Sequence, residues 1–173
     1  MQTYNLAKLR ADQPNLWPPL VLPACLLACE TAPGTTSSFE LAYFAPGAND
    51  PTIEGFSLVH AADVAAADVA ALRVAGREDL LHVAAAGVIT AMLRARDELR
   101  VARVSKRGPW LELHLQKSNG RDEGVLVAFG TDGADPEGVL ADVVKHVNGA
   151  PGGRKIAGAV AFGGGKAAIR VLS

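Results

Sequence analysis

Leucines alternate with larger or polar side chains over residues 110–116, and this pattern constrains the fold more than any other in the chain. Every second residue from Leu111 to Leu115 is apolar, which is the period of a strand with one buried and one solvated face. Such a strand needs neighbours in a sheet. We expect residues 99–106 to be its hairpin partner and the apolar run 124–129 to form a further strand.

Two more pairs of strands are indicated on either side of this segment. Residues 39–44 and 52–60 are apolar runs separated by a loop rich in proline, glycine, asparagine and aspartate, which predicts a hairpin. Residues 155–162 and 166–172 flank the glycine turn 163–165 and predict a terminal hairpin. Because these strands follow one another instead of alternating with helices, the sequence predicts an α+β fold with a mainly antiparallel sheet.

Helical spacing appears in two places. Residues 61–97 are rich in alanine, and apolar positions recur at three- and four-residue intervals up to Gly76 and again after Asp79, which predicts a pair of helices. Their narrow faces suit packing against each other or against the sheet. Asp135 and the proline after it are typical of a helix start and predict one further helix over residues 136–148.

The length of 173 residues suits one domain. Residues 1–38 are rich in proline and predict an N-terminal arm with a short helical turn, packed on the core. Residues 39–173 are expected to form a single α+β domain. The aromatic share of 5% means that this core is built mainly from alanine, valine, leucine and isoleucine.

Charge and hydropathy exclude several classes of protein. The formal net charge of -1 gives no global attraction to polyanions or to anionic membranes. The apolar stretch 16–29 is interrupted by prolines and is too short to span a bilayer, so we expect a soluble cytoplasmic protein. The alternative is an exported lipoprotein acylated at Cys29, because residues 26–29 resemble the cleavage box of bacterial lipoproteins.

Metal binding and nucleophilic catalysis have no sequence pattern behind them. The four histidines are widely separated, and none lies in a His-x-x-x-His or His-x-Glu arrangement, so no metal site is predicted. The serines show no Gly-x-Ser-x-Gly elbow. Cys25 and Cys29 are expected to be reduced and buried. Whether the protein is an enzyme, and which cofactor it would use, stays open.

The strongest candidate for ligand binding is Arg154 with Lys155, which follow two glycines. Glycines let a backbone approach a ligand closely, and the adjacent cations suit a phosphate or a carboxylate. The stretch Gly-Arg-Lys-Ile-Ala-Gly, residues 153–158, resembles a motif of biotin and lipoate protein ligases. That resemblance covers six residues and implies that Lys155 contacts the ligand.

A second basic segment runs from Arg94 to Trp110. Its Arg103 and Lys106 are further candidates for holding an anionic small molecule. Arginines next to an aromatic ring also suit phosphate contacts and base stacking, so nucleic-acid binding is an alternative. The main functional hypothesis is a binding or assembly module that forms a homo-oligomer. The other is an enzyme or ligand-binding domain for a phosphorylated or carboxylate small molecule.

Overall fold

The computed structural model describes residues 1–172 and is built around one eight-stranded sheet. The strands are β1 (Gln2–Asn5), β2 (Thr36–Phe44), β3 (Thr52–Val59), β4 (Arg100–Arg107), β5 (Trp110–Gln116), β6 (Asp122–Thr131), β7 (Lys155–Ala161) and β8 (Lys166–Val171). Their order across the sheet is β1-β3-β2-β8-β7-β6-β5-β4.

The α+β class is confirmed, but the prediction of a mainly antiparallel sheet is wrong. The hairpin pairs β2–β3, β4–β5 and β7–β8 are antiparallel, as is β5–β6. The pairs β1–β3, β2–β8 and β6–β7 are parallel, so the sheet is mixed. Parallel strands lie far apart in the chain or are linked by a crossover, so the local periodicity of the sequence does not predict which strands pair in parallel.

Within residues 1–172, five α-helices accompany the sheet: α1 (Leu9–Asp12), α2 (Pro18–Ala28), α3 (Ala66–Leu72), α4 (Arg77–Asp97) and α5 (Glu137–Asn148). The bounds of α5 agree with the helix predicted over residues 136–148. Residues 61–97 hold α3 and α4, but α3 has no buried side chain and lies against α2. The alanine-rich helix pair is therefore not confirmed as a packed unit.

The partner of α4 is α2, which comes from the segment predicted as an arm. Pro18 and Pro19 occupy the first turn of α2, where a missing amide hydrogen costs no hydrogen bond. The two helices approach closely at Gly87, because a Cβ there would overlap the side chain of Val21. The same N-terminal segment also supplies β1, which pairs with β3 in the sheet.

The helices divide between the two faces of the sheet. The larger core lies between the sheet and the pair α2 and α4, and it contains Leu126, Ile156 and Ile169. A smaller core lies on the other face, where α5 covers the central strands β6, β7 and β8. We call this second side the α5 face. The outer strands extend beyond α5 on both flanks.

None of the helices in residues 1–172 is long and apolar enough to cross a membrane.

Candidate functional site

Arg103 and Arg154 lie far apart in the sequence, and the fold brings them to the same groove. The groove has a volume of about 700 Å³ and is formed by β4, β5, the start of β6 and the loop before β7. Arg121, His114 and Glu123 also line it. Two of the four predicted ligand-binding residues therefore converge, and they are joined by another arginine.

Arg154 is positioned by a close backbone approach between β6 and the residue that precedes β7. The amide of Val125 donates a 2.9 Å hydrogen bond to the carbonyl oxygen of Arg154. Gly124, the preceding residue, has a φ of +117°, and a Cβ there would overlap the Arg154 carbonyl. Glycine at this position therefore allows the approach that fixes Arg154 at the wall of the groove.

Three cations surround the carboxylate of Glu123. Its oxygens lie 3.6 Å from Nη1 of Arg154, 3.8 Å from Nε of Arg121 and 4.0 Å from Nζ of Lys117. Charge-assisted hydrogen bonds are about 2.7–2.9 Å long, so all three contacts are looser than that. One carboxylate is thus shared loosely among three positive groups, two of which, Arg154 and Lys117, also interact with the charge of Asp97.

Arg103 lies across β4–β5 from His114. Nε2 of His114 is 2.8 Å from the hydroxyl oxygen of Ser105. Burial lowers the pKa of His114, and the positive charge of Arg103 lowers it further, so this imidazole is neutral near pH 7. In residues 1–172, no carboxylate lies within 4.0 Å of the Arg103 guanidinium.

Lys155 and Lys106 lie away from the groove. Nζ of Lys155 donates a 2.8 Å hydrogen bond to the carbonyl oxygen of Asn148, at the end of α5. Lys106 pairs with Leu111, whose side chain is on the opposite face of the sheet from that of His114. Arg121 was not predicted as a site residue. The sequence pattern that could have identified it is the turn at residues 117–121, because the β5–β6 hairpin closed by this turn brings Arg121 beside β5.

A second cleft lies between α4, α5 and the strands β5 and β6, and it contains four stacked rings. The ring centroids of His82 and Phe129 are 3.6 Å apart, those of Phe129 and Trp110 are 4.1 Å apart, and those of Trp110 and His146 are 4.0 Å apart. Both faces of the Trp110 indole are therefore covered by other rings of the protein. In this arrangement the ring has no free face on which a base could stack.

Arg107 links the ring stack to the end of α5. Its Nε donates a 2.6 Å hydrogen bond to the carboxylate of Glu112, which is buried with 4% exposure. The same guanidinium donates to the carbonyl oxygens of His146 and Gly149, each at 2.9 Å. Burial and the charge of Arg107 lower the pKa of His146. This cluster anchors the last turn of α5 to β4 and β5.

Several arginines of the basic segment from Arg94 to Trp110 are paired with carboxylates. Arg94 is 3.6 Å from Asp12, and Arg96 is paired with Glu54. Together with the Arg107–Glu112 pair, these contacts withdraw three of the segment's cations from a role in phosphate binding.

Ser37 and His60 form a second serine–histidine pair, at the same distance as Ser105 and His114. The Ser37 hydroxyl oxygen lies 2.8 Å from Nε2 of His60, which is buried with 1% exposure. Burial lowers the pKa of His60 to about 4. So weak a base gives Ser37 little activation near neutral pH. The described part of the chain also contains no group of three or more histidine, cysteine or acidic residues that could hold a metal ion.

The two cysteines lie in and just after α2, and both are free thiols. Burial raises the pKa of Cys29 to about 11, although a hydrogen bond with Ser37 lowers it in part. Burial also raises the pKa of Cys25. Neither thiol is therefore ionised near neutral pH, as a nucleophile or metal ligand would need to be.

Comparison of the chain with protein-family models, with curated proteins and with solved structures gives no match.

Proposed function

We propose that the protein binds a small anionic ligand, carrying a phosphate or a carboxylate, in the groove lined by Arg103, Arg121 and Arg154. The observation that supports this most is the convergence of arginines from three separate segments of the chain on one groove. The planar guanidinium presents paired donors that match the oxygens of a phosphate or a carboxylate.

The charge of the groove favours an anion. Three arginines line it against two acids, Asp122 and Glu123. Outside the lining, Lys117 approaches Glu123, and Asp97 interacts with Arg154 and Lys117. The contacts of Glu123 with Arg154, Arg121 and Lys117 are longer than direct hydrogen bonds. The N–H groups of these three side chains can therefore donate hydrogen bonds to a bound ligand of higher charge density.

The loop before β7 leaves space for such a ligand. Gly152 and Gly153 line the groove, and a Cβ at either position would meet no atom within 4 Å. Glycines at an open loop let a ligand approach the backbone amides directly.

Binding is favoured over catalysis and over nucleic-acid recognition by what surrounds the groove. The Ser37–His60 pair does not line it. His114 lines it beside Ser105, but no carboxylate of residues 1–172 lies within 4.0 Å of the His114 ring nitrogens to orient the imidazole as in a catalytic triad. Nucleic-acid binding would draw on Trp110, whose two faces are occupied, and on arginines that are paired with carboxylates.

The test is calorimetric titration with inorganic pyrophosphate and with citrate, at low salt and near neutral pH. We expect the wild type to bind at least one of them. Arg103→Gln and Arg154→Gln should each weaken binding by about tenfold or more, because each removes a charged donor. Lys106→Gln is the matched control, since Lys106 lies on the same strand but faces away from the groove.

Rising salt should weaken the binding of either probe, because an open groove is screened by counterions. No binding by the wild type would contradict the proposal. So would affinities that are equal in the wild type, Arg103→Gln and Arg154→Gln.

A further inference from the structure

The other flank of α5 carries a groove of different character. It has a volume of about 690 Å³ and lies between α5 and the strands β8, β2 and β3. Apolar side chains line its middle, and Ile53 is left 56% exposed. We call it the α5–β2 groove. Phe44, Val144 and Leu172, which also line it, are half-buried, so together with Ile53 they form a contiguous apolar surface of the kind that another molecule covers.

Three alanines mark the centre of the α5–β2 groove. On β2 and β8, which are parallel, Ala42 lies opposite Ala168. The third is Ala141 on α5, which also lines the groove. Such small side chains allow a partner to approach the backbone closely at this point.

The charged residues are divided between the two ends. The helix α5 is the crossover between the parallel strands β6 and β7, so it runs in the same direction as β8 and β2. Three acids lie at the end where α5 begins, and they are Glu40, Asp135 and Glu137, with Lys166 beside them. Two cations lie at the other end, where Lys145 follows on α5 and Arg170 is stacked on Phe44.

We propose that a second copy of this chain covers the α5–β2 groove and forms a symmetric homodimer. In an isologous interface, a two-fold axis lying in the contact plane and crossing the groove at its centre exchanges the two ends. The acidic end of one copy then lies on the basic end of the other. A groove with one acidic and one basic end is complementary to itself in this orientation.

The spacing of residues along α5 makes the pairing specific. Ala141 is midway between Glu137 and Lys145, so an axis at Ala141 places Glu137 of one copy against Lys145 of the other, and the reverse. The same holds on the strands, where Ala42 lies midway between Glu40 and Phe44. Both Glu137 and Lys145 are exposed in the single chain.

The dimer is independent of the anion-binding groove. That groove is formed by β4, β5, the start of β6 and the loop after α5, on the opposite flank of the helix. A second copy seated on the α5–β2 groove therefore does not cover the groove at Arg103 and Arg154.

The test is sedimentation equilibrium of the full chain from low to high micromolar concentration. We expect a reversible dimer for the wild type. Glu137→Lys and Lys145→Glu should each raise the dissociation constant by about tenfold or more, since symmetry introduces each like-charge contact twice. Asp79→Lys is the control, because Asp79 is exposed on α4, which covers the opposite face of the sheet, and should leave the dimer intact.

A mixture of the two weakened variants separates lost complementarity from lost folding. Glu137→Lys carries two lysines and Lys145→Glu carries two glutamates at the paired positions, so an equimolar mixture should form a heterodimer with higher affinity than either variant has for itself. A wild type that stays monomeric at every concentration would overturn the proposal. A dimer unaffected by either reversal, or a mixture that fails to associate, would overturn it as well.

Discussion

Gln13 accepts a 2.7 Å hydrogen bond from the backbone amide of Val101 through Oε1, while its Nε2 donates at 3.0 Å to the carbonyl oxygen of Leu99. The side-chain amide of Gln13 thus makes the two backbone hydrogen bonds that a neighbouring strand would make at the free edge of β4. The adjacent Asn15 donates to the carbonyl oxygen of Ala102 at 2.9 Å. These contacts tie the N-terminal segment to the far edge of the sheet.

We expect Gln13→Ala to lower the free energy of unfolding by about 2–4 kcal/mol. Gln13 is fully buried, with 0% exposure, so the change leaves two backbone groups without partners and creates a cavity. Urea unfolding measures the loss. Asn15→Ala is the control, because Asn15 is exposed and should cost only about 0.5–1 kcal/mol. Equal losses in the two variants would contradict a special role for the buried amide.

Gly87→Ala should destabilise the protein by about 1–3 kcal/mol, although alanine favours a helix over glycine. The added Cβ would overlap Cγ1 of Val21 and lie 3.1 Å from Sγ of Cys25, where α2 crosses α4. Val21→Ala removes the atoms in the way. In a double-mutant cycle measured by urea unfolding, Gly87→Ala should therefore cost less in the Val21→Ala background, with a coupling energy of about 1–2 kcal/mol. Additive effects would show that the two residues do not contact.

Acid should destabilise the fold through His60. Burial lowers its folded-state pKa to about 4 from an ordinary value of 6.5, so the unfolded chain takes up this proton first as pH falls. The stability contributed by neutral His60 is complete above pH 6.5 and is lost between pH 6.5 and 4. Urea unfolding across this range should show a smaller pH dependence in His60→Gln, by up to about one proton. An unchanged slope would mean that the pKa of His60 is not lowered.

The protonation of His146 can be followed through Trp110, whose indole lies 4.0 Å from the imidazole centroid. Trp17→Phe leaves Trp110 as the only tryptophan. Burial and the charge of Arg107 lower the pKa of His146, so the emission of Trp110 should titrate with a midpoint below 6.5. Adding His146→Gln should abolish that step. A midpoint above 6.5 would show that attraction to Glu112 and to the indole outweighs burial.

The local elements of the fold were predictable because each leaves a short-range pattern. The alternation at residues 110–116 matches β5, and Asp135 with Pro136 precedes α5. The N-terminal segment was not predicted as a strand and a helix, because Pro23 lies inside α2 and prolines usually end helices. Burial of Val21, Leu22 and Cys25 in the core stabilises this helix against its sequence preference.

The candidate groove was predictable only in part. Arg103 and Arg154 stood out by charge, and their meeting depends on the order of the strands, which local patterns do not encode. Lys155 looked equivalent to Arg154 in sequence. In the structure Arg154 precedes β7 and lines the groove, whereas the side chain of Lys155 is held at the end of α5 by its bond to the carbonyl oxygen of Asn148.

The two side chains that bind the last carbonyls of α5, Arg107 and Lys155, also affect the electrostatics of the anion-binding groove beside them. The end of a helix carries a partial negative charge from its unpaired carbonyls, which repels anions. The loop that follows α5 forms a wall of the groove. Arg107 and Lys155 bind the carbonyls of His146, Asn148 and Gly149, so this partial charge is masked by two cations. Removing either cation should make the wall more repellent to a phosphate without touching any arginine that lines the groove.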